Sequence, residues 1–194
     1  MTNPYYIVTL VFCPLTHIIL NRNLTGRGMT ITRADIELQL RRLYYATGAN
    51  DFFEEPTLKI AAADDPFFVR FKTIIGDFHW TPAEALAVKF PTAKARSVLV
   101  WCMPKTERAR SSNRGETERP SLDWARSRSF GEVANENMRR QLCRCLEEKG
   151  FAATPPHLNS DYRQAVQRLA GNWSERHAAF VAGMGTFGLS AGLI

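Results

Sequence analysis

Three sets of residues in this 194-residue chain have types and spacings that chemistry can use. The first is Gly183-Met184-Gly185-Thr186-Phe187-Gly188, the G-x-G-x-x-G spacing of loops whose glycines let a phosphate approach backbone amides at the start of a helix. The dinucleotide form of that loop needs a strand before it, a helix after it and an acid roughly 20 residues on. Here a helical pattern precedes the glycines and only six residues follow them, so no nicotinamide site is expected. Two readings stay open. Glycines let backbone lie against a large flat ring and its phosphate-bearing tail, with Thr186 and Ser190 as hydrogen-bond donors, or they make a tight helix-to-strand turn.

The second set can carry protons: Glu132, Glu136, Tyr162 and His177. Both glutamates also read as solvated charges near a helix N-terminus. The third set is arginine-rich, with Arg108, Arg110, Arg114, Arg119, Arg126 and Arg128 within a polar stretch. Planar guanidinium forks suit phosphate, so these side chains can neutralise a cofactor phosphate, track an RNA backbone or decorate a solvated loop. No aromatic platform interleaves them in sequence, which sets tRNA behind a cofactor or substrate phosphate. The cysteines, Cys13, Cys102, Cys143 and Cys145, form neither a disulfide framework nor a metal spacing. Cys143 and Cys145 are two apart in a helical pattern and point in different directions, so all four are read as packing residues.

The elements that must position these groups are legible in part. Thr32 and Asp35 mark a helix start, Ile36, Leu40 and Leu43 recur on one face, and Gly48 closes a helix over about 33–46. Residues 50–80 carry Phe52, Phe53, Phe67, Phe68, Phe71, Phe78 and Trp80 among charges and prolines, the composition of short irregular elements. Ser-Val-Leu-Val-Trp-Cys-Met over 97–103 is a continuous apolar, β-rich run, as expected of a strand covered on both faces. From Lys105 to Arg128, seven basic residues and four acids follow no period, and a long loop is expected. A helix over about 131–149 buries Met138, Leu142, Cys145 and Leu146 and stops at Gly150. A short strand at Phe151–Thr154, a helical pattern over about 160–170 and a last helix capped by Asn172 or Ser174 complete the order. That order implies an α/β layer structure.

Composition agrees with one ordinary domain: 45% of residues are hydrophobic, 23% are charged, and the net charge of +6 favours anionic partners. The apolar run from Tyr5 to Leu20 is too short and too broken by Cys13, Pro14, Thr16 and His17 to span a bilayer. No basic residue precedes Arg22 and no small-residue cleavage site follows, so export and membrane partners are not expected and the chain is placed in the cytoplasm. Met29 begins Met-Thr-Ile-Thr-Arg-Ala-Asp-Ile with a capped helix directly behind it, so residues 1–28 read as an upstream extension of a domain over 29–194.

The stretch Asn172-Trp173-Ser174-Glu175-Arg176-His177 through Ala182-Gly183-Met184-Gly185-Thr186-Phe187-Gly188 to Ile194 resembles a signature of the epoxyqueuosine reductase-like iron–sulfur proteins. The resemblance extends backward through Ala95–Val100, Asn113-Arg114, Trp124-Ala125-Arg126 and Met138-Arg139, about two thirds of the chain. It implies a nitroreductase-like, corrinoid-binding layer fold that holds cobalamin, with 4Fe-4S clusters in a following ferredoxin-like domain feeding electrons to cobalt. On that basis Arg114, Arg126, Gly183, Gly185, Thr186, Phe187, Gly188 and Ser190 are expected to hold the cofactor.

The chain departs from the family in two respects. It carries none of the Cys-x-x-Cys-x-x-Cys-x-x-x-Cys-Pro runs that ligate such clusters, and its apolar ending at Gly192-Leu193-Ile194 reads as a C-terminally incomplete domain. A separate ferredoxin-like chain or electron donor is then the expected partner. In tRNA-modifying members the proton donor is an Asp in a Gly-Arg-Asp-Tyr-His stretch. Setting that stretch against Gly131-Glu132-Val133-Ala134-Asn135, in register with Met138-Arg139, puts Val133 at the acid's position. Glu132 is one residue away, about 100° around a helix, and His177 lies in the family-like segment. These two are the candidate catalytic residues. The expectation is the cobalamin-binding portion of a reductase, inactive alone; the alternatives are a truncated non-catalytic remnant and a flavin-binding nitroreductase-like protein.

Overall fold

The computed structural model describes residues 16–22 by their backbone and residues 31–164, 170–189 and 192–193 in full. Four strands, β1 (Thr16–Arg22), β2 (Thr57–Ala62), β3 (Ser97–Cys102) and β4 (Phe151–Thr154), make one sheet in the order β2-β3-β1-β4. Every pairing is antiparallel: Thr57 stands opposite Cys102, Leu20 opposite Ser97, and Arg22 opposite Phe151. The stretch set apart on sequence as an upstream extension thus contributes β1, which lies between β3 and β4.

Six helices flank the sheet among the described residues: α1 (Arg33–Ala46), α2 (Pro66–Ile74), α3 (Pro82–Ala87), α4 (Glu107–Arg114), α5 (Leu122–Glu148) and α6 (Glu175–Val181). The alternation of β3 assigns their layers. Leu99 and Trp101 join a core with Leu40 of α1 and Met138 and Leu142 of α5, whereas Val98 and Val100 join Phe68 and Phe71 of α2, Leu86 of α3 and Ala178 of α6. The four central β3 side chains, Val98 to Trp101, are excluded from water, as expected of a strand covered on both faces. The fold is a mixed α/β structure in layers.

α1 matches its expected bounds because Thr32 and Asp35 form a reciprocal capping box. The expected long loop over Lys105–Arg128 is corrected to two helical pieces. Thr106 caps α4, whose Glu107 bonds Arg110 and Ser111, and Ser121 caps α5, which begins nine residues before its expected start. α4 buries only Ala109, so no apolar period marked it, and the caps together with these side-chain pairs define it instead. The α5 stripe buries Cys143 rather than Cys145. Residues 160–164 of the expected helix over 160–170 form turns, with the Tyr162 and Asn172 backbone amides bonding Asn159 and Arg163 carbonyls. Residues 165–169 lie outside the described residues.

Candidate functional site

α6 ends in a local motif that accounts for the first glycine of the 183–188 sequence. Gly183 has φ +68°, its N–H donates to the Phe180 carbonyl at 3.0 Å, and the Met184 N–H reaches back to the Ala179 carbonyl at 2.9 Å. These are the two bonds of a Schellman cap, which calls for glycine at the left-handed position. Phe187 then pairs with Leu193, and the Gly188 N–H donates to the Gly192 carbonyl at 2.8 Å. A Cβ added at Gly183 would meet no atom within 4 Å, so the turn is open on that side. Thr186 is exposed, Gly185 and Phe187 are half-buried, and Ser190 lies outside the described residues.

His177 lies one turn before this cap, its Nδ1 2.6 Å from the Ser174 hydroxyl and its ring centroid 4.7 Å from Phe71 and 4.8 Å from Phe187. Burial pushes its pKa down to about 4, so at neutral pH the ring presents a lone pair rather than an acid. His79 is 6.2 Å away, stacked on Trp173 and wholly enclosed, and neither of its ring nitrogens has a hydrogen-bond partner among the described residues. Burial also holds His79 down to about 4.

Glu132 is mid-helix on α5, where its carboxylate meets Arg139 at 2.9 Å. Arg139 is buried and also approaches Glu175 Oε1, the first residue of α6, at 3.3 Å. His157, in a single helical turn after β4, places Nδ1 3.3 Å from that same oxygen, and its ring lies 4.5 Å from that of Tyr162. Burial pushes Glu175 up to about 7 against the pull of Arg139, and pushes His157 down to about 4. Burial raises Tyr162 as well.

Of this group, sequence reasoning had singled out Glu132 and Tyr162 but missed Arg139, Glu175 and His157 as functional candidates. One signal was available. Arg139 falls beside Met138 on the apolar stripe of α5, and a charge on a buried face requires an ionic partner from another element.

The arginines expected at the cofactor are elsewhere. Arg114 pairs with Glu107 at 3.4 Å on the exposed side of α4. Arg126 lines a cavity of about 700 Å³ with Phe52, Thr106, Arg108, Asp123 and Phe130, and no residue of the glycine turn lines that cavity. Along α5, Arg126 is about 20 Å from Arg139 at 1.5 Å per residue. Lys105 is buried beneath Trp124, its ammonium 4.4 Å from the ring and bonded to the Ser127 hydroxyl. Burial lowers its pKa to about 8.

Among the described residues no three His, Cys, Asp or Glu are grouped to hold a metal ion, and no helix is long and apolar enough to cross a membrane. No family model, curated protein or solved structure matches the chain.

Proposed function

We propose that the chain is the cobalamin-binding portion of an iron–sulfur-dependent reductase resembling epoxyqueuosine reductase, inactive until a ferredoxin-like chain or another donor supplies electrons. The observation that carries this reading is the Arg139–Glu175 pair. Met138-Arg139 and the segment from Asn172 onward are separate stretches of the sequence resemblance, and here they are joined through a buried guanidinium across 36 residues. The later stretch is also structural: Trp173, Ala178 and Ala179 belong to the core.

The glycine turn supports this reading, and the arginines do not. The free space over Gly183, with the exposed Thr186 hydroxyl and the half-buried Phe187 beside it, suits a large flat ring resting against backbone. Cobalamin, when bound, would supply the reducing centre. The chain's own residues would position it. His177 is fixed through its Nδ1 by Ser174, and Phe71 and Phe187 flank its ring, keeping it oriented and largely dry. Arg114 and Arg126 take no part at that turn.

Titration of the purified protein with cobalamin, followed by its visible spectrum and its thermal midpoint, tests the assignment. Binding is expected to change both. No change in either at high ligand excess refutes it and favours the non-catalytic reading, which draws on Val133, an exposed apolar residue where the family's acid is expected.

A further inference from the structure

The cavity of about 700 Å³ beside α4 and α5 is a different place from the glycine turn, and its walls suit a ligand of a different kind. Its volume lies within the range of small-molecule sites, about 300–1,000 Å³. Three stretches of the chain converge on it: the single helical turn at Ala49–Asp51 with Phe52 after it, the start of α4, and the first turns of α5. Phe52 is anchored on the core, and Phe130 stacks on it with ring centroids 6.3 Å apart and planes 25° from parallel. Phe130 itself is 60% exposed, so an aromatic surface stands uncovered in the cavity wall. Arg126 precedes Phe130 by four residues on α5, which puts it one turn away on the same face.

The charged groups of the cavity divide into matched and free. Arg108 is matched by Asp123 at 3.1 Å. The side chains of Arg126 and Asp51 are exposed and have no partner among the described residues. The walls therefore offer an aromatic face, a planar guanidinium fork and a carboxylate that only accepts hydrogen bonds. A flat heterocycle stacks on the first, a phosphate takes paired N–H bonds from the second, and sugar hydroxyls donate to the third. We propose that this cavity binds a nucleoside monophosphate, with its base against Phe130, its phosphate at Arg126 and its ribose hydroxyls at Asp51. An aromatic amino acid also offers a ring, a carboxylate and a donor group. The chain's net charge of +6 favours the anionic nucleotide over that net-neutral zwitterion.

Calorimetric titration of the full chain with adenosine 5′-monophosphate, adenosine, phenylalanine and a short single-stranded RNA makes the test. The monophosphate is expected to bind about tenfold more tightly than adenosine, through the charge-assisted bonds of Arg126. Arg126→Ala is expected to abolish that preference and to leave adenosine binding unchanged, a split that a loss of folding would not produce. Phe130→Ala is expected to weaken both ligands by at least about fivefold, the contribution of one stacked base. Both substitutions fall on exposed side chains, and the thermal midpoint of each variant is expected to match that of the native chain. The proposal is overturned if the monophosphate does not bind at millimolar concentration, if Arg126→Ala keeps the preference for it over adenosine, or if phenylalanine binds as tightly. RNA binding without mononucleotide binding also overturns it, and assigns the arginines to a nucleic-acid backbone. No cobalamin is present in these titrations and no residue of the glycine turn lines the cavity, so each outcome is independent of the reductase reading.

Discussion

Replacing His79 with phenylalanine should make the protein more stable at neutral pH and less sensitive to acid. The side chain is 1% exposed and stacks on Trp173 at 6.1 Å, and neither ring nitrogen is paired among the described residues. An enclosed N–H without a partner costs about 1–3 kcal/mol, which phenylalanine removes while keeping a flat ring over Trp173. The pH term is separate. Burial lowers the His79 pKa from 6.5 to about 4, so between those values the unfolded chain binds the proton and the folded chain does not. Stability is therefore fully present above the unfolded pKa and is lost as pH falls through the folded one. At 1.36 kcal/mol per pH unit the loss is about 3 kcal/mol. Urea unfolding of both proteins between about pH 7 and about pH 4 measures each term. A variant that is less stable at neutral pH and loses stability in acid as steeply as the native chain would refute the reasoning.

Other substitutions test other contacts. Gly183→Ala should cost about 1 kcal/mol through backbone strain alone, because φ is +68° while the new methyl meets open space; a thermal melt with an unchanged midpoint would contradict this. Gly131→Ala should cost about 1–3 kcal/mol, since its methyl would run into the buried Phe53 ring, and the loss should be eased when Phe53 is also made leucine. Arg139→Met leaves Glu175 without its cation, so its destabilisation should grow with rising pH and approach about 3–5 kcal/mol once Glu175 is ionised. A penalty independent of pH would place the cost in packing rather than charge.

The elements legible in the sequence were those whose ends and faces are marked locally. α1 has a capping box and an apolar stripe, β3 an unbroken β-rich run, and β4 a short run before two prolines. α4 escaped because a helix that buries one alanine has no period to read, and Ser121 was overlooked as the cap of α5. The aromatics scattered through 50–80 resolve into two layers only once the sheet exists, with Phe53 on one side and Phe68 and Phe71 on the other. Similarly, Arg126 and the glycine turn share a sequence resemblance yet stand at different places on the molecule. Phe52 and Phe130 stack beside Arg126, a neighbourhood that their separation in sequence conceals.

Glu175 separates two accounts of the α5–α6 contact that sequence and distance alone treat as equal. If the Arg139–Glu175 pair is an ordinary ion pair, Glu175→Gln weakens it and lowers stability wherever the carboxylate is ionised. If burial dominates, the sign reverses. The folded pKa of about 7 lies above the ordinary carboxyl value of 4.5, so ionisation penalises the folded state: the penalty is absent below the unfolded pKa and complete above the folded one. The difference corresponds to at most about 3 kcal/mol. Glutamine matches the protonated acid in shape and carries no penalty, while Arg139 keeps Glu132 at 2.9 Å. The variant should thus equal the native chain near about pH 4 and exceed it near about pH 8, with its stability rising more steeply in between, because the depressed histidines His79, His157 and His177 are then unopposed. Chemical unfolding across that range decides it, and a variant less stable than the native chain at the alkaline end returns the contact to an ordinary ion pair.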